Sequence, residues 1–156
     1  MQLKAAVTVN TALLQFYWEL GADMVERQQH YAWGQGFVVQ LSADLMREFP
    51  DVKGFSERNL KYIRQWHLFW REAAIGQQPV AQLVGIPWGH NLAILSKCKR
   101  HDEALYYVQA TNTYGWSRNV LVHQIESGLW QREGQAITNF AQTLPTAQSE
   151  LAAQVL

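Results

Sequence analysis

From Gln2 to His30 the chain contains no proline and a single glycine, Gly21. Over that span apolar residues return at Leu3, Val7, Leu13, Leu14, Tyr17, Leu20, Met24 and Val25, in steps dominated by three and four. Those steps place them along one side of a long amphipathic helix. At 1.5 Å per residue such a helix is a rod of roughly 43 Å, and the rest of the domain has to pack along it. Glycine costs a helix interior about 1 kcal/mol relative to alanine, so Gly21 predicts a place where another helix comes close.

The same spacing recurs down the chain. W-G-Q-G, from Trp33 to Gly36, breaks the first helix. A second follows with Phe37, Val38, Leu41, Leu45, Met46 and Phe49 on one side, ending at Pro50. After D-V-K-G, the Ser56 hydroxyl is placed as an N-cap for a helix from Glu57 to about Ala74, with Glu57 at the positive end of its dipole. Shorter helices are expected at Val80–Val84, from Trp88 or Gly89 to Lys97, from Asp102 to about Thr113 and from Arg118 to Trp130. Pro79 and Pro87 serve as helix starts or breaks. A last helix is expected from Gln135 to Thr143, and Pro145 opens a tail. Strand signals are nearly absent. The expected fold is all-α, a multi-helix domain over residues 1–145 containing a helix-turn-helix-like unit. Residues 146–156 read as a tail or the start of a linker.

At 156 residues the chain is long enough for one domain with a real core. Its formal net charge of +0 gives no global sign of a nucleic-acid or membrane partner. One cysteine, Cys98, leaves no internal disulfide, and no apolar run approaches the roughly 18 residues that span a bilayer. The N-terminus lacks a signal-peptide pattern, so the cytoplasm is the expected compartment and no membrane contact is expected. The seven tryptophans, several beside glycine, read as core staples, with base stacking as the alternative.

The helix beginning at Glu57 carries the most functional information. At about 100° per residue, Leu60, Ile63, Trp66, His67 and Trp70 share one side and form the buried stripe. Arg58, Lys61 and Gln65 fall opposite, flanked by Tyr62 and Phe69, with Arg64 toward one edge. Between Asp51 and Arg71 five basic residues (Lys53, Arg58, Lys61, Arg64, Arg71) meet two acidic ones (Asp51, Glu57), whereas the first fifty residues carry three basic against five acidic. The neutral total therefore hides a local basic patch. Arginine, lysine and glutamine on the outer side of a helix can meet phosphates or base edges in a major groove. A solvated helix face and a protein-binding face are the other readings of the same residues. The candidate DNA-contacting set is Lys53, Ser56, Arg58, Asn59, Lys61, Tyr62, Arg64 and Gln65.

G-W-S-R-N at Gly115 to Asn119 echoes G-F-S-E-R-N at Gly54 to Asn59. Ser117 is placed to cap the later helix as Ser56 caps the earlier one, but the later outer face, with Asn119, His123, Gln124 and Ser127, is nearly uncharged and reads as scaffold. Cys98 and His101 make one C-x2-H pair without a second, so no metal site is expected. His67 lies on the buried stripe and reads as a core histidine. No H-E-x-x-H, G-x-S-x-G or phosphate-binding glycine loop is present. Neither a catalytic residue nor a cofactor is expected in this chain.

The order V-N-T-A-L-L-Q-F-Y-W-E-L-G, W-G-Q-G, L-S-A-D-L, F-P and G-F-S-E-R-N-L resembles the N-terminal domain of the YhcG-type nuclease family. W-G-H-N (Trp88 to Asn91), L-Y-Y (Leu105 to Tyr107), G-W-S and Q-R-E-G-Q-A-I-T-N-F continue the resemblance to Phe140. Gly89 departs from it, because a serine-like residue is expected there. The resemblance implies a PD-(D/E)xK nuclease-like domain following this one, with catalysis and its metal belonging to that part. It implies for this domain a DNA-binding or targeting role, in restriction or mobile-element defence. The alternative is a protein interaction module, either a homodimer interface or a dock for the C-terminal nuclease domain or a partner subunit.

Overall fold

Gly21 sits where the two most extensively packed helices meet. The structure, a computed structural model, describes residues 2–30, 36–73 and 80–134. Its α-helices are Gln2–His30 (α1), Gly36–Glu48 (α2), Glu57–Arg71 (α3), Val80–Leu83 (α4), Trp88–Lys97 (α5), His101–Tyr114 (α6) and Arg118–Glu126 (α7). A π-helical turn follows at Trp130–Gly134, and there is no strand among the described residues. The domain is all-α, as the periodicity predicts. Most of the W-G-Q-G break, Pro79, the helix expected from Gln135 to Thr143 and the tail from residue 146 lie outside the described residues.

The core is organised around the α1–α3 seam. A side chain at Gly21 would place its Cβ 2.7 Å from the Cβ of His67 and 3.2 Å from the Ile63 carbonyl oxygen. Only a bare backbone allows that approach, which is the close contact the sequence predicts. Leu60, Ile63, Trp66, His67 and Trp70 are all buried, the same five residues as the expected stripe of α3. On α1 the buried residues include Leu14, Tyr17, Trp18, Met24 and Val25.

Aromatic rings carry this seam into the rest of the domain. Trp18 meets Trp66 edge to face at 5.5 Å, Trp66 meets Trp88 at 5.0 Å, and Trp88 meets Tyr17 at 5.0 Å. Edge-to-face pairs of this kind each add about 0.5–1.5 kcal/mol beyond their area burial. Helix α5 then packs against α3, α6 and α7, while α4 bridges α1 and α6. Asn10 on α1 holds the turn after α4, donating to the carbonyls of Val84 and Ile86 at 3.1 Å each. Asn91 holds the same turn from inside, donating to Leu83 at 3.0 Å and to Ile86 at 3.2 Å.

Three expectations shift. Val7 belongs to the apolar run of α1 but is 53% exposed, so the apolar spacing of α1 begins before its buried residues do. In α2, Phe37 and Val38 are buried and Leu41 and Leu45 pack at the core margin, but Met46 is exposed, as is Phe49 just past the helix end. Met46 lines an open groove shared with Arg58 and Lys61 of α3, and Phe49 rests against the Phe55 ring at 6.2 Å without being buried. Finally, α7 ends at Glu126 and not at Trp130. Gly128 takes a left-handed φ of 77° and reverses the chain. The Trp130 N–H is then free to donate to the Tyr107 hydroxyl at 3.0 Å, with the indole buried.

His67 is a core histidine, packed against the Trp18 ring at 4.3 Å, but its Nδ1 has no protein hydrogen-bond partner. Burial lowers its pKa, the positive charge of Arg71 lowers it further, and a hydrogen bond to the Trp18 backbone partly opposes both. The neutral ring is therefore the folded form.

Two measurements follow from this packing. Gly21→Ala forces α1 and α3 apart and lowers unfolding free energy by about 1–3 kcal/mol. Gly89→Ala, whose Cβ would meet only the Arg118 stem at 3.6 Å, raises it by about 0.5 kcal/mol; urea denaturation reads both. For His67, the unfolded chain takes up a proton near pH 6.5 while the folded ring resists. Its contribution is thus complete above that pH and is lost as pH falls, by up to about 1.4 kcal/mol per unit. His67→Gln flattens this acid limb relative to the wild type in urea titrations between pH 7 and 5, and identical limbs would refute the assignment.

Candidate nucleic-acid interface

With one side of α3 sealed against α1, its other side is fixed outward. Arg58, Lys61 and Gln65 are exposed along it, Lys53 is exposed on the preceding turn, and Tyr62 and Arg64 are half-buried at its edges. Arg58 leans over Tyr62, with its guanidinium carbon 5.7 Å from the ring centre and its Nε–H donating to the hydroxyl at 3.3 Å. Phe69, expected to flank this face, instead packs on Trp70 and His101 at 5.1 and 4.4 Å, and so belongs to the core margin. The residue lies one turn too close to α6, whose first residue, His101, hydrogen-bonds the Phe69 carbonyl at 2.7 Å.

The basic residues on α3 and on the turn before it enter no ion pair among the described residues. The ion pairs among the described residues are Arg47–Asp44, Lys97–Glu126 and Arg100–Asp102. Lys53, Arg58, Lys61, Arg64 and Arg71 enter none of them. Between α2 and α3 runs an open groove of about 670 Å³. Val39, Ser42, Ala43 and Met46 form one wall; Ser56, Glu57, Arg58 and Lys61 form the other. Eight residues, 49–56, separate the two helices, a longer connection than the 3–4 residues of a standard helix-turn-helix.

The start of α3 is built by its own motif. The Ser56 hydroxyl accepts the Asn59 N–H at 3.2 Å, the expected N-cap. Gly54 has a φ of 106°, and any side chain there would strike the Tyr17 hydroxyl. Phe55 is buried, and its carbonyl accepts the Ser42 hydroxyl at 2.6 Å. Asn59, the remaining member of the candidate set, is engaged at both ends. Its Nδ2 donates to the Gly54 carbonyl at 2.7 Å, and its Oδ1 accepts the Trp88 indole N–H at 2.8 Å. The structure thus brings Ser56, Arg58 and Lys61 together along the groove, leaves Lys53 exposed on the turn before it, spreads Tyr62, Arg64 and Gln65 along the helix, and turns Asn59 inward.

The second motif is built in parallel. Ser117 accepts the Val120 N–H at 3.2 Å. The Trp116 carbonyl is held by His90 Nε2 at 2.8 Å, as the Phe55 carbonyl is held by Ser42. Gly115 also has a positive φ, 65°, but its Cβ would meet nothing within 4 Å; its role is to end α6. W-G-H-N therefore ties the two starts together, Trp88 reaching α3 and His90 reaching the turn before α7. Sequence reasoning missed this link. An indole N–H and an imidazole in the first turn of a half-buried helix must find partners, but nothing local says which.

The two members of the C-x2-H pair sit in different surroundings. Burial, reinforced by Glu103, pushes the Cys98 thiol up to about 12, and His101 is held by Phe69. Among the described residues no group of three or more His, Cys, Asp or Glu is placed to hold a metal ion. None of their helices is long and apolar enough to cross a membrane.

An all-α domain with capped helices and one solvent-facing cationic side is the class these features define. The chain belongs to the family described as the DUF1016 N-terminal domain, whose profile matches residues 1–132. It is 26% identical over 154 residues to an Escherichia coli (strain K12) protein named "Putative nuclease YhcG". That alignment covers 80% of this chain and 40% of the relative, so the chain spans less than half of the relative's length. No solved structure matches it. Gly89, where the resemblance implies a serine-like residue, has room for one.

Asn59 and Arg58 separate frame from face. Asn59→Ala removes two hydrogen bonds and leaves the Trp88 N–H unpaired, lowering stability by about 2 kcal/mol. Arg58→Ala and Lys61→Ala each stay within about 0.5 kcal/mol of the wild type. Thermal melts of the three variants check the contrast.

Proposed function

We propose that this domain is the DNA-binding, targeting module of a nuclease of its family, with catalysis and its metal residing in a C-terminal nuclease domain. The observation that carries this is the state of α3: one side fully anchored, the other displaying cations that enter no ion pair among the described residues. Anchoring holds Arg58, Lys61 and Gln65 in a fixed array, and unpaired guanidinium and ammonium groups are what a phosphate backbone requires. Lys53 and the Ser56 hydroxyl extend the array past the helix start, and Tyr62 and Arg64 edge it. Asn59 shapes this surface from within. Helix α2, its connection and α3 act as a helix-turn-helix-like unit with a long turn, α3 being the helix presented to the duplex. The compartment that follows is the cytoplasm, and the process is restriction or mobile-element defence.

A second reading has its own observation. Val39 and Met46 on α2, with Phe49 and Val52 beyond it, are large apolar residues between 45% and 48% exposed. They suit a docking face for the nuclease domain, a partner subunit or a second copy; a mass that rises with concentration in light scattering would support the homodimer. The two readings are compatible, since dimeric helix-turn-helix proteins read paired half-sites.

The first reading predicts salt-dependent binding of duplex DNA in a fluorescence-anisotropy titration. Arg58→Ala combined with Lys61→Ala lowers the slope of log affinity against log salt by about 0.9 for each phosphate that is no longer neutralised. An unchanged slope in a double mutant with wild-type melting removes the α3 assignment.

A further inference from the structure

Tyr114 is the most exposed of the large apolar and aromatic side chains described, at 69%. It ends α6, and its ring lies nearly parallel to that of Trp116, 22° between planes and 5.6 Å between centres. Trp116 is half-buried against the core, and His90 fixes its backbone at 2.8 Å. The Tyr114 ring therefore rests on an anchored support and is widely open to solvent. Arg118 follows in the first turn of α7, exposed, in no ion pair among those described, its stem running past Gly89. From Tyr114 to Asn119 the sequence contains that one cation and no acidic residue.

An exposed aromatic ring on a fixed base, with a guanidinium in no described ion pair four positions further along the chain, offers the two groups that an unpaired nucleotide needs. The base has a face to stack and the phosphate has a charge to pair. A stacked base inside a duplex has no free face to offer. The position of this platform relative to α3 is also fixed. Helix α5 packs against both α3 and α7, and its first turn bonds Asn59 through Trp88 and Trp116 through His90.

We infer that the Tyr114–Trp116 stack and Arg118 form a second nucleic-acid contact that takes an unpaired nucleotide, so that the domain's preferred ligand is a duplex bearing a single-stranded extension. This rests on the duplex-binding reading of α3 and specifies its ligand. The Gly-Trp-Ser turn before α7, which reads as scaffold from its weak charge, then acts by stacking.

The test is an anisotropy titration of the whole chain with a blunt duplex and with the same duplex carrying a short single-stranded thymine tail. The tail tightens wild-type binding at least about five-fold, the lower end for one stacked base. Tyr114→Ala abolishes that gain and leaves blunt-duplex affinity and the melting temperature unchanged; Tyr114→Phe retains it, and Arg118→Ala diminishes it. Equal wild-type affinity for the two ligands, with blunt-duplex binding still dependent on Arg58 and Lys61, overturns this inference and leaves the α3 reading standing. A tail gain that survives Tyr114→Ala overturns it likewise. Absence of binding to either ligand overturns both readings. Binding of the tailed duplex alone that depends on Tyr114, without blunt-duplex affinity, supports the Tyr114 contact and overturns the α3 reading together with the duplex part of the ligand.

Discussion

The close approach of α1 to α3 at Gly21 is the contact on which the rest of this domain is arranged. Packed helix axes lie about 8–10 Å apart, and a glycine at the crossing favours the short end of that range. At that separation Trp18 reaches Trp66 and His67, and Trp66 in turn reaches Trp88. Moving α1 outward would open the centre of the core, where Trp66, Leu60 and Ile63 have no exposure at all. It would also release Tyr17 from the glycine turn ahead of α3, because Tyr17 sits one helical turn from Gly21 and against Gly54. The direction of the exposed side of α3 is thus set by a residue without a side chain on a different helix.

Much of the fold was legible because its signals are local. Periodicity over a few turns placed the helices and named the five buried residues of α3, and serine at an N-cap needs only its own next turn. Errors arose where the answer lay elsewhere in the chain. Phe69 has the spacing of a face residue and is drawn inward by His101, thirty-two positions away. Met46 and Phe49 have the spacing of core residues and stay nearly half open to solvent. Gly128, which ends α7 early, could have been read as a C-cap, but the following Leu129 and Trp130 prolonged the apolar pattern past it.

The candidate site was legible in composition and less so in geometry. Arg58, Lys61 and Gln65 stand where the wheel put them. Asn59, one position from Arg58 and equally polar, is inward-facing because Trp88 and Gly54 claim both ends of its amide. A helical wheel assigns angle but not the length or partner of a side chain, and residue 59 lies at the boundary where that matters. In the second turn, charge counting sees Arg118 alone and does not see the Tyr114 ring lying parallel to that of Trp116.

The division between residues 58 and 59 has an evolutionary consequence. Every bond that holds α3 in place comes from its inner side or from its cap, and Arg58, Lys61 and Gln65 contribute only the slight contact of Arg58 with Tyr62. Such a helix can exchange its outer residues, one at a time and in any order, without passing through an unfolded intermediate. The exposed surface of α3 is therefore free to drift while its skeleton stays put.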